Sequence, residues 1–335
     1  MQRVAVVMPF YNASLYIKES VESILSQTFT DFNFYIIDDG STDNSISIIE
    51  AFNDPRIILI KNFENKGIVE SLNSIFKKVK EEYIVRMDAD DIAILNRIEK
   101  QVQFMDSNPE IGITGSWFSI LGSNELISPP LSHDEIAISL MDYSAIGHPT
   151  VIIRRVTWYK AKMQFNKNAL HIEDYECWTK AVVNGIKLAN IPENLLLYRK
   201  HTEQISSKFI NQQNDNIRAI RSSYITELFK KLSKDEINIL TTLIFNRINS
   251  HNDYLIVKQI VSKIIKNNLV FDNILLSKFL NNKIQYAAIS FFGSIIQPFA
   301  QLFIIAYFDK FFYSSLSFSQ KFKFPFKLTK KLLIG

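Results

Sequence analysis

The first half of the chain alternates short β-branched runs with amphipathic stretches. Val4-Ala5-Val6-Val7-Met8 reads as a buried strand, and the stretch from Ser14 to Gln27 sets Leu15, Val21, Ile24 and Leu25 at helical spacing. The same alternation predicts a strand at Phe34–Ile37, a helix at Ser45–Phe52, a strand at Ile57–Ile60, a helix at Ile68–Val79 and a strand at Tyr83–Met87. Strands that are apolar almost throughout, joined to helices by short loops, predict a parallel α/β sheet covered on both faces. In such a sheet the polar residues that follow the strands collect in a crevice at the carboxyl edge. Three groups occupy those positions: Pro9-Phe10-Tyr11-Asn12, Asp38-Asp39-Gly40-Ser41-Thr42-Asp43 and Asp88-Ala89-Asp90-Asp91.

From about Asn96 to Tyr198 the pattern is mixed, with strands expected at Ile113–Leu121, Thr150–Arg154 and Leu195–Tyr198. Beyond Ile210 the chain turns Asn-, Lys- and Ile-rich, and Asn211 to Leu280 shows helical periodicity without a Pro or Gly. Two regions are expected: an α/β domain over 1–210 and a mainly helical, Phe- and Lys-rich extension over 211–335. Ile284 to Phe308 carries no charge and is long enough to cross a hydrocarbon core of ~30 Å as a helix. Pro298, Gln285, Gln297, Gln301, Ser290 and Ser294 interrupt it, so spanning, surface-lying and protein-buried arrangements all stay open. The tail then carries Lys310, Lys321, Lys323, Lys327, Lys330 and Lys331 among Phe and Leu, a pattern suited to an anionic membrane surface.

Composition narrows the class. With 335 residues, 47% hydrophobic and 21% charged, the chain has globular content of roughly two-domain length, which excludes disordered and collagen-like proteins. The single cysteine, Cys177, cannot close an intrachain disulfide and reads as a small buried side chain. A net charge of +4 gives no reason to expect nucleic acid as a partner. The apolar run after Met1 is too short for a secretory signal and meets Pro9, so a cytoplasmic location at the inner face of the membrane is expected.

Asp88, Asp90 and Asp91 directly after a strand repel one another unless solvent or a cation neutralises them. Their hard oxygens suit Mg²⁺ or Mn²⁺. Asp91 alone is explained by a helix cap, whereas the pair Asp88 and Asp90 favours metal or nucleotide work. In the second group Ser41, Thr42 or Asp43 can cap the helix beginning near Ser45, which leaves Asp39 free to accept a hydrogen bond from a base while Tyr11 stacks on it.

These residues carry a family resemblance. Val-Val-Met-Pro-Phe-Tyr-Asn at 6–12, Ile-Asp-Asp-Gly-Ser-Thr-Asp-Asn-Ser at 37–45, Asn65-Lys66-Gly67 with Asn73, and Arg86-Met87-Asp88-Ala89-Asp90-Asp91 stand in order and at suitable spacing. Together they resemble a family 2 glycosyltransferase of the bacterial surface-polysaccharide type, which implies the GT-A fold, a Rossmann-like mixed α/β sheet. The likeness continues through Arg97 and Gln101, Gly147-His148-Pro149, Ile172-Glu173-Asp174-Tyr175 and Tyr198-Arg199-Lys200-His201, and stops near Ile210.

The resemblance implies an inverting transfer from a nucleotide-diphosphate sugar, with UDP the expected nucleotide, to an acceptor hydroxyl. Pro9, Tyr11, Asn12 and Asp39 would bind the donor nucleotide, Tyr11 and Asp39 at its base, with Asp88 at the ribose or metal, Asp90 at the cation, and His201 as a further metal or diphosphate ligand. Lys66 and Arg86 are either nucleotide contacts or ion-pair partners. Asp174 would be the catalytic base. Arg199, His148, Glu173 and Trp178 are candidates for phosphate or acceptor contacts, Trp178 reading more readily as core. No Gln-x-x-Arg-Trp signature is present, which favours single addition over processive synthesis. The tail favours a glycan acceptor carried on a lipid. The competing classes are a nucleotidyltransferase, which usually has a Gly-rich loop where Pro9-Phe10-Tyr11-Asn12 stands, and a non-catalytic nucleotide-sugar-binding protein.

Overall fold

A computed structural model describes residues 2–169, 171–201, 210–244, 248, 250–268 and 270–294. They fall into two compact units, Met1–Tyr224 and Ile225–Gly335.

The first unit is built on a mixed sheet. Strands β1 (Val4–Phe10), β2 (Phe32–Asp38), β3 (Ile57–Lys61) and β4 (Tyr83–Arg86) run parallel in the order β3-β2-β1-β4, with Phe10 beside Asp38 and Val7 beside Arg86. Helices α1 (Ile17–Leu25), α2 (Ser45–Glu50) and α3 (Ile68–Phe76) are the crossovers. All seven residues of β1 are buried because neighbours flank the strand on both edges and helices cover the faces. Val4, Val6, Met8, Phe34, Ile36 and Val85 pack against Ile17, Val21 and Ile24 of α1, whose Lys18 and Glu22 face solvent.

The order reverses between β1 and β4, which opens a crevice at their carboxyl ends. Beyond β4 the sheet becomes mixed. In chain order come β5 (Ile92–Ala93), α4 (Arg97–Ser107), β6 (Ile111–Ile120), β7 (Leu126–Ile127), α5 (His133–Ser139), β8 (Ile152–Arg154), α6 (Arg155–Lys160), α7 (Glu173–Val183) and β9 (Lys187–Tyr198). Strand β8 is antiparallel to β4 and β6, while β9 is parallel to β6 and antiparallel to β5. The β5–β9 pairing, with Ile92 beside Leu197, carries the end of β9 to the crevice. The sheet is therefore mixed, as the resemblance to the GT-A fold implies.

Helix α8 (Ile210–Leu228) shows why the division falls later than residue 210. Tyr224 is buried and donates to the carbonyl of Ala137 at 2.9 Å, and Arg221 pairs with Asp142, so the first turns of α8 belong to the α/β unit. The second unit is helical, as the periodicity predicts. It holds α9 (Lys234–Ile239), a π-helical turn at Leu240–Ile244, α10 (His251–Asn267) and α11 (Asn273–Ser294). Ser233 and Glu236 form a capping box at α9, and Ser250 caps α10. Tyr254, Val257, Val261, Ile264, Leu276 and Leu280 form its core. Among the described residues no helix is long and apolar enough to cross a membrane. Residues 295–308 of the uncharged stretch and the tail lysines Lys310 to Lys331 lie outside the described residues.

Candidate active site

Four loops meet at the crevice, and their backbone polar groups are knitted together by side chains. Asn12 sits at φ 50, a left-handed conformation that Asn tolerates better than most residues. Its Oδ1 accepts from Thr42 N at 2.8 Å while its own N–H donates to Ser41 Oγ at 2.9 Å. Asp43 accepts from Ser14 N and Ser45 N, so it ties the β1 loop to the start of α2. Those bonds, with burial opposing them, bring its carboxyl down to about 2. Tyr11 stands half exposed at the rim, its ring available for stacking.

Asp39 is buried and already well supplied. Its Oδ1 accepts from Asn62 Nδ2 (2.9 Å), Ser71 Oγ (2.9 Å) and Lys66 N (3.1 Å), and its Oδ2 accepts from Gly67 N (2.8 Å). The carboxylate therefore shapes the 62–67 loop first, and Oδ2 retains room for one further donor. Gly40 makes this possible: its φ is +78, and a Cβ there would stand 2.7 Å from Glu64 C. Lys66 is exposed on that loop, and Phe63 beside it is fully exposed, an aromatic at the rim that the sequence reading passed over. Lys66 makes no ion pair with the described residues.

The acidic group after β4 is the chemical centre. Asp88, Asp90 and Asp91 each place a carboxylate oxygen within 4.8 Å of the others. Arg86, wholly buried, grips Asp88 through both terminal nitrogens at 2.5 and 2.6 Å. Its role is thus the ion pair, one of the two alternatives open for it. Burial pushes the Asp88 carboxyl up, opposed by Arg86 and reinforced by Asp90.

Asp91 does not cap a helix, as the sequence reading had it. It is fully buried, accepts from Arg199 N at 2.9 Å, and leaves Oδ2 without a partner. The residue after it enters β5, and Asn96 precedes α4 instead. Burial, then the charges of Asp88 and Asp90, raise its carboxyl to about 9. Below this cluster Arg97 donates to the carbonyls of Arg86 and Pro149 at 2.7 Å each, and Gln101 donates to Thr150 O at 2.6 Å, which fixes the end of β4. Burial brings Arg97 down to about 9.

The end of β9 closes the site. His201 Nε2 lies 2.9 Å from Asp90 Oδ2, and Arg199 Nε donates to Asp90 O at 2.8 Å. Two residues of α1's approach hold this segment. The Tyr16 ring stacks 4.8 Å from the His201 ring and lies under the Arg199 guanidinium at 4.9 Å, while Glu19 accepts from Arg199 at 2.5 Å. The sequence reading missed both, although a Tyr and a Glu three residues apart at a helix start beside a sheet edge were a usable signal. Three hard carboxylates beside an imidazole, with one buried oxygen unpartnered, form a donor set that fits a divalent cation.

Glu173 and Asp174, both near enough to feel the Arg86 charge, begin α7, where the helix dipole favours negative charge. Asp174 is half-buried and accepts from Ser144 Oγ at 3.3 Å; burial raises its carboxyl above the ordinary range. Glu173 is buried with Oε2 unpartnered, and burial plus the Asp174 charge raise it to about 7. His148 is buried, neutral and packed against Phe165 and Trp178, its Nε2 unpartnered. Trp178 has no solvent exposure, so it is core and cannot serve as an acceptor platform. Cys177 is likewise buried, its thiol pushed up by burial. Asn73 of α3 exchanges two hydrogen bonds with the Phe165 backbone, at 2.8 and 3.0 Å, and so steadies this wall.

The chain matches the family model described as Glycosyl transferase family 2 over residues 5–179. It is 34% identical over 268 residues to an uncharacterized glycosyltransferase of Haemophilus influenzae, covering 75% of this chain and 83% of that one. It is 30% identical over 206 residues to the Escherichia coli UDP-Glc:alpha-D-GlcNAc-diphosphoundecaprenol beta-1,3-glucosyltransferase WfgD, covering 61% and 79%. The fold of S. aureus TarS 1–349, solved in complex with UDP-GlcNAc, superposes with a TM-score of 0.59 at 18% identity, covering 88% of this chain and 93% of that one. This chain spans 52% of the longer TarS chain. With strands, crevice and acidic cluster all in the matched region, the chain belongs to glycosyl transferase family 2 and is a nucleotide-sugar glycosyltransferase.

Proposed function

We propose that the enzyme transfers a sugar with inversion from a UDP-sugar to a hydroxyl of a lipid-linked glycan, in the assembly of a surface polysaccharide. The observation that supports the reaction is a pair of carboxylate stations around Arg86: Asp88, which Arg86 grips, with Asp90 beside His201, and Asp174, which feels the Arg86 charge.

Asp174 is the base. An acceptor hydroxyl is a poor nucleophile at neutral pH, so a carboxylate must take its proton as the new C–O bond forms. Burial raises the basicity of Asp174, and the Ser144 hydroxyl orients it. The electrons of the breaking bond to the anomeric carbon leave with the diphosphate, which needs no proton if its charge is met. Asp88, Asp90 and His201 would hold a divalent cation, Mg²⁺ or Mn²⁺, which when bound offsets that charge. Arg86 orients Asp88 through its two-nitrogen grip, and Arg199 fixes the backbone of Asp90 and the side chain of Asp91 in position. Tyr11, Pro9 and Asn12 line the base side with Asp39, whose remaining acceptor position faces a donor N–H. Lys66 offers a cation to the phosphates.

The acceptor class rests on two supports. WfgD carries a diphosphoundecaprenol substrate in its name. The charge of this chain is also segregated: 23 basic and 28 acidic side chains stand up to Tyr224, and 15 basic and six acidic ones follow, a net of −5 against +9. A basic second unit suits the inner, anionic face of a membrane, where lipid-linked acceptors are carried. The test is a panel of nucleotide sugars with Mg²⁺ or Mn²⁺ and a polyprenyl-diphosphate glycan acceptor, read by released nucleoside diphosphate. Release from a UDP-sugar that a chelator abolishes is expected. Undiminished release in chelator, or release only from another nucleotide's sugars, overturns the corresponding part.

A further inference from the structure

We propose that the connection between α10 and α11 is a preformed bilayer-docking tip that seats the second unit on anionic phospholipid, an inference that rests on the membrane-associated reading above. The described residues of this connection satisfy one another's backbone groups through their own side chains. Asn268, buried, accepts from Val270 N and Phe271 N at 3.1 Å each and donates to Phe271 O at 2.7 Å and Asn273 Oδ1 at 2.8 Å. Asp272 then caps α11 by accepting from the N–H groups of Ile274 and Leu275, both at 2.9 Å. Phe271 turns inward against Phe229, their ring centroids 6.5 Å apart.

The same geometry turns two aliphatic side chains outward. Val270 is 53% exposed and Ile274 is 77% exposed, although the unit has an apolar core in which both types would ordinarily be buried. Val270 also lines a cavity of about 300 Å³ to which Lys230, Lys231 and Lys263 and one acid, Glu227, contribute, and the acid between the two aliphatic residues, Asp272, is exposed with its carboxylate engaged in the cap of α11. On α11 the exposed face continues from Ile274 to Lys278 and Tyr286 at four-residue multiples. No acidic residue occurs in the sequence from Asn273 to Phe308.

Aliphatic tips beside Lys230 and Lys231, on a unit whose sequence carries a net charge of +9, complement an anionic bilayer. The tips enter the acyl boundary, the lysines meet the headgroup phosphates, and the tyrosine suits the interface between them. Because hydrogen bonds already hold the turn, insertion orders little new chain.

The test is flotation of the full-length chain with vesicles of phosphatidylcholine alone and of phosphatidylcholine with phosphatidylglycerol. Binding to the mixed vesicles that weakens with salt is expected. Val270→Asp with Ile274→Asp should weaken it at least about tenfold, and Lys230→Glu with Lys231→Glu about thirtyfold. Ile274→Trp should shift its fluorescence to the blue on adding mixed vesicles. None of these residues belongs to the unit that carries the catalytic crevice, so nucleoside diphosphate release from the donor should be unchanged, and far-UV circular dichroism with thermal unfolding shows that the helical unit of each variant is folded. If the wild type binds no vesicles, the membrane reading falls and takes this surface with it. If it binds and both double variants bind equally well, the membrane reading stands and the tip is refuted, its occupant being another part of this chain or a second copy.

Discussion

Replacing Glu173 with glutamine removes a carboxyl that burial, aided by the adjacent Asp174 charge, raises from an ordinary 4.5 to about 7. Its Oε2 has no partner, so an ionised Glu173 is an unpaired charge in the protein. Between those two values the native carboxyl keeps its proton while the unfolded one has lost it. Stability therefore falls as pH rises through that window, and the loss is complete above the folded value. At ~1.36 kcal/mol per unit, the interval costs roughly 3 kcal/mol in full, of which about 2.5 kcal/mol develops between about pH 5 and about pH 8. Glutamine occupies the same space without titrating, so its repacking cost is the same at both pH values and cancels in their difference. All three tryptophans, at 117, 158 and 178, lie in the α/β unit, so urea unfolding followed by tryptophan emission reports that unit. With chelator present, Glu173→Gln should gain about 2.5 kcal/mol relative to wild type on going from about pH 5 to about pH 8. In an Asp174→Asn background the gain should shrink, because the neighbouring charge is gone. A difference flat to within about 0.5 kcal/mol would refute the claim that Glu173 is a buried, unpartnered carboxyl.

Tyr16 should matter through its ring alone, since the ring backs both His201 and Arg199. Tyr16→Ala should weaken divalent-ion binding, read by Mn²⁺ paramagnetic resonance, by roughly 10–100-fold, while Tyr16→Phe should restore it. Gly40→Ala forces a left-handed residue against the backbone of Glu64 and Asn65 and should cost about 1–3 kcal/mol in chemical denaturation. The same substitution should raise the donor KM, because the loop it displaces is the one that Asp39 holds; an unchanged KM would separate that loop from the donor. Arg97→Leu strands the carbonyls of Arg86 and Pro149 and should lower stability by about 3 kcal/mol in the same unfolding assay.

The parallel half of the sheet was legible because β1, β2 and β4 are enclosed and their sequences are apolar nearly throughout. Strand β9 was legible only at its end. Its first half contains Asn190, Pro192 and Glu193, and the pairing with β6 skips from Ile191 to Asn194 at a bulge that accommodates the proline. Asn190 is buried there to bond the carbonyls of Pro130 and Ala145, a tertiary task that no periodicity discloses. The acidic cluster was visible from spacing, yet the division of labour within it was not. Asp91 reads as a cap by position, and only the return of β9 past residue 90, bringing the Arg199 N–H, shows why it is buried. Tyr16 and Glu19 escaped for the same reason: their partners lie more than 180 residues away for both contacts of Tyr16 and 180 residues away for Glu19.

Asp174→Asn, assayed for sugar transfer and for donor affinity on one preparation, tests the assignment of the base most directly. The amide can still accept from Ser144, so the site should keep its shape. Transfer should fall by about 10²–10⁴ while nucleotide-sugar affinity stays within about twofold. Transfer within about threefold of wild type would contradict the two-station mechanism and require the proton to go elsewhere.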